Sequence, residues 1–297
     1  MRNIAKRFMI TTKRILQGLY TGRLKPDNNE SSPVKVMKKC PLVNIYHCCT
    51  HKSGSQWLKA VFKDTTTFSY SGLEQYSYAD YLPGKMDPRK ITERYFKQSF
   101  PKNKIVSPLY ISYDSISKVP KSGRYKTIYI LRDPRDLVVS DYFSMKFSHS
   151  PYPQVVSTRN KLLAMDETKG LVFCLQRLVD NGTFGAQRGW IHAKDDTILM
   201  VRYEDLISAD SKVYFRKIFD HCEIDLPEEV LGKLIDRYSF KKMSKGRNPG
   251  QEDKQNHYRK GIAGDWQNCF SDNIKNVFKQ KTGDLLIVLG YEQDMNW

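Results

Sequence analysis

Short apolar runs alternate along the chain with stretches whose apolar residues recur at helical spacing. The strand-like runs are residues 42–46, 105–112, 125–132 and 197–206. The helix-like stretches begin near Trp57, at Pro134 and at Asn273, and also cover residues 88–98, 167–192, 211–221 and 227–237. A break is expected at the adjacent Asn181 and Gly182. Strands that alternate with helices favour an α/β fold with a central parallel sheet flanked by helices.

The first strand-like run leads into a polar turn, THKSGSQ, just before a helix. The first N–H groups of a helix have no intrahelical partner, and the helix dipole adds partial positive charge there. Gly54 permits close approach of the backbone to a bound anion, and Lys52 adds a cation. Further donors are Ser53, Ser55 and Gln56. The turn predicts an anion site; the alternative is an ordinary capped helix start with a solvated lysine.

A second strand–turn–helix unit follows residues 125–132. Asp133 is placed to cap the helix that Pro134 starts. Arg132 and Arg135 put two cations at its mouth, and a guanidinium can make bidentate hydrogen bonds to a phosphate. The unit therefore predicts a second anion site, although such residues taken alone are more often surface residues.

The chain has 297 residues, 40% of them hydrophobic, and that length can bury one sizeable core. We expect one folded domain over residues 34–297, preceded by a basic appendage and linker over residues 1–33. The net charge of +17 is compatible with nucleic acid, an anionic membrane or an acidic ligand. Charge alone does not choose among them.

Residues 1–25 are basic and carry four apolar residues roughly on one helical face. These are Ile4, Phe8, Ile15 and Leu19. A basic amphipathic helix can lie on an anionic membrane, so peripheral membrane contact is one interpretation. A transit sequence and a frayed terminus are the alternatives. No signal peptide is recognised, and no apolar run reaches the ~18 residues that a membrane span needs, so a cytoplasmic location is expected.

The six cysteines are scattered and none forms a CxxC pair. The group His47, Cys48, Cys49 and His51 matches no usual zinc spacing. Alternate residues of a strand point to opposite faces, so these four side chains are not expected to converge. Buried thiols in a reducing compartment are favoured over a metal site.

Three segments resemble the motifs of one enzyme family. KSGSQWL (residues 52–58) resembles the 5′-phosphosulfate loop, usually KSGTTWL, of the sulfotransferases that use 3′-phosphoadenylyl sulfate (PAPS). ILRDPRDLVVSDYF (residues 130–143) resembles the family's 3′-phosphate motif, and YRKGIAGDW (residues 258–266) resembles its RKGxxGDW segment. The resemblance implies a P-loop-like nucleotide-binding sulfotransferase fold. It also implies transfer of a sulfuryl group from PAPS to a hydroxyl or amine, with release of adenosine 3′,5′-bisphosphate (PAP).

The resemblance further implies which residues bind PAPS and which act on it. The binding residues carried over are Lys52, Ser53, Gly54, Ser55, Gln56, Trp57, Arg132, Ser140, Tyr203, Ser239, Phe240, Arg259, Lys260 and Gly261. Lys52 would stabilise charge on the bridging oxygen as the bond to sulfur breaks. Ser140 and His51 complete the expected catalytic group. No metal is implied, because lysine and arginine supply the positive charge.

The sequence departs from the family at the expected general base. Many members carry a histidine in a KTH segment on the second strand, where this chain has Ser107 and Pro108. His51, Asp114 and Glu93 are the candidates for a replacement base. An acceptor acidic enough to need little help, or nucleotide binding without turnover, would equally account for the missing histidine. The family's dimer motif is also missing from QNCFSDNIKN, so that dimer is not expected.

The acceptor is not specified by the sequence. A small molecule, a lipid or a glycan would each fit, and we expect residues 65–104 and 143–170 to form its pocket. The aromatic residues within 65–104 are alternatively core residues or a nucleic-acid-binding surface. A basic nucleic-acid-binding protein is therefore the second interpretation of the chain, although nucleic acid is not the expected partner.

Overall fold

The structure is a computed structural model that describes residues 34–82 and 87–297. The expected appendage over residues 1–33 lies outside the described residues, and so does the membrane hypothesis for residues 1–25. Residues 83–86 are also outside them. Among the helices in the described part, none has both the length and the apolar character needed to cross a membrane.

A five-stranded parallel sheet forms the centre of the fold. Its strands are β1 (Asn44–Cys49), β2 (Glu74–Tyr76), β3 (Lys104–Tyr110), β4 (Tyr125–Leu131) and β5 (Ile198–Arg202). The spatial order is β2-β3-β1-β4-β5, and each neighbouring pair is parallel. This confirms the predicted α/β fold with a central parallel sheet. The sequence did not predict β2, because a three-residue edge strand carries almost no apolar periodicity.

Helices cover both faces of the sheet. They are α1 (Ser55–Lys63), α2 (Thr65–Ser71), α3 (Tyr113–Ser117), α4 (Pro134–Phe143), α5 (Pro153–Leu163), α6 (Glu167–Asp180), α7 (Thr183–Ile191), α8 (Tyr203–Leu206), α9 (Ser211–His221), α10 (Glu228–Arg237), α11 (Phe240–Met243), α12 (Trp266–Cys269), α13 (Asp272–Thr282) and α14 (Leu285–Val288). Single 3₁₀ turns occupy Tyr78–Tyr81 and Ile91–Glu93, and one π-helical turn, Ser144–Ser148, continues α4.

The central strand shows why both faces are covered. Along β1 the side chains of Ile45 and Cys49 enter one apolar cluster, and those of Tyr46 and Cys48 enter the other. All four are fully buried. They enter two different clusters because successive residues of a strand point to opposite faces. Residues of α4, α6 and α13 complete the cluster on the face of Tyr46, and residues of α1, α9 and α10 complete the other.

Two of the predicted elements differ from those observed. The predicted helix over residues 88–98 is wrong, since only the 3₁₀ turn Ile91–Glu93 forms there. The Arg94 guanidinium is buried and donates to the carbonyl oxygens of Arg89 at 3.1 Å and Tyr110 at 2.8 Å. These contacts hold the segment against the end of β3. The predicted strand over residues 197–206 stops at Arg202, and its last four residues form α8.

The strand order identifies where a ligand is expected. After β1 the chain first builds β2 and β3 on one side and then crosses to build β4 and β5 on the other. In open parallel sheets, ligands bind outside the carboxyl ends of the strands where the order reverses. Here that crevice lies between β1 and β4, and the predicted anion turns leave the sheet from those same two strands.

Candidate active site

The turn after β1 has a left-handed backbone at two positions. Lys52 has φ 70°, and Gly54, which precedes α1, has φ 79° and ψ 13°. Gly54 must also be small, because a Cβ there would lie 2.8 Å from two ring carbons of Tyr203. The Arg132 guanidinium lies over the Tyr203 ring, 4.2 Å from the ring centroid. Its Nη1 donates to the Lys52 carbonyl at 2.8 Å. The turns that follow β1, β4 and β5 are thus packed together.

The loop over residues 259–264 is fixed to the same crevice by a buried carboxylate. Asp136, on α4, accepts the backbone N–H of Gly264 at 2.8 Å and that of Trp266 at 3.0 Å. Gly261 has φ 66° and packs so closely on the ring of Phe240 that a Cβ would collide with it. Gly264 is 128 residues away from Asp136 along the chain, and the two hydrogen bonds bring the loop to the mouth of the crevice.

One cavity of about 1000 Å³ opens between these turns. The predicted site residues that line it are His51, Lys52, Gly54, Ser55, Gln56, Trp57, Arg132, Ser140, Tyr203, Ser239, Phe240, Arg259, Lys260 and Gly261. Residues from three separate motifs therefore face one space. The side chain of Trp57, in α1, is held in place by its indole N–H, which donates to the Tyr238 carbonyl at 2.6 Å.

Two predicted contributions to the site need correction. Ser53 does not line the cavity: its side chain is buried and its hydroxyl donates to the Thr50 carbonyl at 2.7 Å, which closes the turn. Arg135 also lies outside the cavity, although the sequence placed it at the mouth. Its guanidinium is paired with Asp133 and stacked 3.7 Å from the centroid of Trp266, so it stabilises the fold.

The cations of the third segment share one acid, and Arg259 also pairs with Glu252. Arg259 and Lys260 both pair with the Asp265 carboxylate, Lys260 at 2.6 Å. Burial raises the pKa of Asp265, but the hydrogen bonds from Lys260, Asn268 and Arg259 outweigh it and lower that pKa to about 2. Asp265 is therefore ionised at neutral pH and sets the direction of both cations.

Lys52 is a half-buried ammonium with cations around it. Burial lowers its pKa to about 8; the Asp141 carboxylate opposes this shift, and the Arg132, Arg177 and Arg259 guanidinium groups add to it. Lys52 is mostly protonated at neutral pH and becomes neutral above about pH 8. A bound polyanion would favour the charged form, so this end of the cavity is suited to phosphate or sulfate groups.

The cavity is also lined by side chains that were not among the predicted site residues. They include Pro108, Tyr110, Asp141, His149, Arg177 and His257. Asp141 is buried and forms a bidentate ion pair with Arg177, with the closest contact at 3.0 Å. Only the position of Asp141 beside Ser140 in the second motif could have drawn attention to it. Its neighbours come from distant segments.

Two of the expected base candidates are outside the cavity. Asp114 pairs with Lys118 at 2.7 Å, and Glu93 contacts Lys90 at 3.4 Å, both with exposed side chains. His51 does line the cavity, and its ring stacks on Tyr110 with the centroids 4.0 Å apart. Geometry therefore removes Asp114 and Glu93 as proton acceptors for a substrate in this cavity.

The aromatic residues of the 65–104 stretch mostly serve the core. Tyr46 and Tyr76 both contact the ring of Phe100, and Phe96 packs on Phe100 with a centroid distance of 4.8 Å. Tyr78 lines the cavity. For these rings the arrangement favours a role in core packing over a nucleic-acid-binding surface. Within the described ranges, no group of three or more His, Cys, Asp or Glu side chains is arranged to hold a metal ion.

Comparisons with known proteins agree with this geometry. The family model of the sulfotransferase domain matches residues 45–287. Human (Homo sapiens) sulfotransferase 2A1 is 28% identical over 196 residues, which cover 60% of this chain and 64% of that protein. Cytosolic sulfotransferase 17 of Arabidopsis thaliana is 26% identical over 257 residues, covering 78% of this chain and 70% of that protein.

A solved structure shares the fold. Mouse sulfotransferase SULT7A1 complexed with PAP superimposes with a TM-score of 0.52 at 19% identity, covering 86% of this chain and 90% of that one. At that identity the likeness concerns the fold alone. The chain spans less than two thirds, 64%, of the length of the human relative.

Proposed function

Because the chain belongs to the sulfotransferase domain family, we propose that it transfers the sulfuryl group of PAPS to a hydroxyl or amine acceptor and releases PAP. The observation that carries the proposal is the meeting of three distant cationic segments around one cavity. Lys52, Arg132 and Arg259 all line it, at the carboxyl ends of β1 and β4. A ligand with anionic groups at two ends, such as PAPS, matches cations supplied from several sides.

The cavity residues divide the binding of such a nucleotide among them. Lys52 and the free N–H groups at the start of α1 face the end where phosphosulfate would lie. Arg132, Ser140 and the loop of residues 259–261 are proposed to hold the 3′-phosphate, because guanidinium and hydroxyl donors converge there. The rings proposed to contact the adenine are Trp57, Tyr203 and Phe240.

The proposed chemistry depends on alignment and charge. PAPS supplies an activated sulfuryl group, and Lys52 stabilises the negative charge that develops on the bridging oxygen. The lysine is well placed for this role, since it lines the cavity, is half-buried and is mostly protonated at neutral pH. No step of this mechanism requires a metal, because lysine and arginine side chains provide the positive charge.

The acceptor, the compartment and any membrane contact are further parts of the proposal. The acceptor is a small molecule, a lipid or a glycan with a hydroxyl or amine. A cytoplasmic location is supported by the six free thiols and by the name of the Arabidopsis relative, a cytosolic sulfotransferase. Peripheral membrane contact through residues 1–25 is supported by their sequence only. Co-sedimentation with anionic liposomes, with and without residues 1–33, tests it, and equal sedimentation of both forms refutes it.

Ligand binding and turnover test the main proposal. PAP should raise the melting temperature of the purified protein, whereas ATP and an oligonucleotide at the same concentration should not. A nucleic-acid-binding protein would show the opposite preference, with strong salt dependence. Lys52→Ala should abolish transfer from labelled PAPS while the protein remains folded, and Lys63→Ala, an exposed lysine at the other end of α1, should behave like wild type. Near-normal turnover of Lys52→Ala would contradict the assignment.

A further inference from the structure

The position of the family's usual base is occupied by a residue that cannot accept a proton. Pro108 lines the cavity there, between β3 residues whose side chains are buried. The chain has six histidines, and three of them line the same cavity: His51, His149 and His257. Transfer to a hydroxyl releases a proton, which a general base accepts. The surroundings of the three rings determine which of them can serve as that base.

His51 and His257 are poor acceptors of a proton. Burial lowers the pKa of His51 well below its ordinary value, and the neighbouring cations Arg94, Arg177 and Lys52 lower it further. The side chain of His257 is exposed at the cavity rim, but desolvation by the surrounding cavity wall lowers its pKa to about 4, with Lys52 and His149 adding to the shift. Among the residues that the structure describes, no carboxylate opposes these shifts at either ring. A proton on either ring would therefore be repelled by the neighbouring cations.

His149 is held in a defined position after the π-helical turn. Its backbone N–H donates to the Ser144 carbonyl at 2.8 Å, and its carbonyl accepts from Arg159 Nη2 at 2.6 Å. Its ring nitrogen Nδ1 lies 3.2 Å from the Ser150 carbonyl oxygen. A carbonyl only accepts, so Nδ1 carries the hydrogen and Nε2 of the neutral ring is left with a free lone pair.

From this geometry we propose that His149 is the general base of the transfer, in place of the strand histidine that Pro108 replaces. The inference rests on the proposed sulfotransferase function. Nε2 takes the proton of the acceptor hydroxyl while the acceptor oxygen forms its bond to sulfur. The bond from sulfur to the bridging oxygen breaks, and its electron pair stays on PAP beside Lys52. The products are the sulfate ester, PAP and a protonated His149.

The imidazolium that forms has partners that the other two histidines lack. Burial lowers the pKa of His149 below 6.5, and Lys52 and Arg159 lower it further. The Ser150 carbonyl and the buried Asp141 carboxylate act in the opposite direction and stabilise the charged ring. The charged or titratable groups that face His149 include Lys52, His51, Asp141, Arg159 and His257, and the Tyr152 ring lies edge-on to it with the centroids 6.3 Å apart. The base is thus neutral at physiological pH and still able to hold a proton transiently.

Kinetics with acceptors of different acidity provide the first test. His149→Gln should lower kcat for aliphatic alcohols by about 10²- to 10⁴-fold, the usual contribution of a general base. The loss should be smaller for 4-nitrophenol, which is already partly ionised at neutral pH. Wild type should lose activity as His149 is protonated below pH 6.5, and His149→Gln should lack that acid limb. His51→Gln and His257→Gln should keep the limb, and the exposed His192→Gln is the matched control with unchanged rates.

A second measurement does not depend on turnover. Long-range ¹⁵N NMR of the PAP-bound protein reports which ring nitrogen carries the hydrogen, and His149→Gln assigns the signal. The expected result is Nδ1–H with a free Nε2. An Nε2–H tautomer, or a His149→Gln variant with wild-type kcat and pH profile for alcohols, would overturn the proposal. If wild type transfers no sulfuryl group to any acceptor, the proposed function fails, and the tautomer alone then decides whether His149 is built as a base.

Discussion

Replacement of Gly54 by alanine tests how the turn after β1 shapes the nucleotide site. Gly54 combines a left-handed backbone with direct contact to Tyr203. An L-residue in that conformation costs about 1–2 kcal/mol. The new methyl group, 2.8 Å from two ring carbons, adds an overpacking cost of about 1–3 kcal/mol. We therefore expect Gly54→Ala to lower the free energy of unfolding by about 2–5 kcal/mol.

A second glycine in the chain isolates the steric part of this cost. Gly72, which ends α2, has φ 69° and ψ 9°, nearly the same backbone as Gly54 at φ 79° and ψ 13°. A Cβ at Gly72 would meet its nearest neighbours, Lys39 and Val36, at 3.5 and 3.7 Å, which is ordinary contact. Gly72→Ala should therefore show only the backbone cost of about 1–2 kcal/mol.

The two variants should also differ in their affinity for PAP. Displacement of the Tyr203 ring weakens its contact with the Arg132 guanidinium, a cation–π interaction of about 0.5–2 kcal/mol. If that loss appears in binding, the Kd of Gly54→Ala rises by about two- to thirty-fold. Urea unfolding and titration calorimetry with PAP measure both quantities. Equal stability and equal PAP affinity of the two variants would refute the proposed role of the Gly54–Tyr203 contact.

Two further predictions concern the charges of the site. PAP affinity should fall as the pH rises through about 8, because Lys52 loses its proton there. Calorimetry on Lys52→Met should show a weaker dependence of PAP affinity on pH. An identical pH profile in both proteins would contradict this. Asp136→Ala should lower the free energy of unfolding by about 2 kcal/mol, because two partly buried N–H groups, of Gly264 and Trp266, lose their acceptor. It should also weaken PAP binding, and unchanged affinity would mean that residues 259–261 do not depend on this carboxylate.

The sequence by itself determined the order of most elements and the part of the cavity lining that comes from the recognised motifs. Alternating strands and helices specify the α/β class, because a pattern with a period of two or 3.6 residues depends on local geometry. The polar turns after β1 and β4 were recognisable for the same reason, since caps, glycine and proline act over a few residues. The third segment was recognised only through its resemblance to a family, because nothing local shows that residues 259–261 approach Lys52.

Tertiary structure alone decided which polar side chains face the cavity. Arg132 and Arg135 are three residues apart, yet only Arg132 enters it, because Asp133 and Trp266 hold the other guanidinium in the fold. The same holds for His149, which faces Lys52 and Asp141 only after the π-helical turn is packed. Side-chain direction and local charge depend on contacts between segments that are distant in sequence. Such contacts form only when the chain is folded, and no short stretch of sequence encodes them.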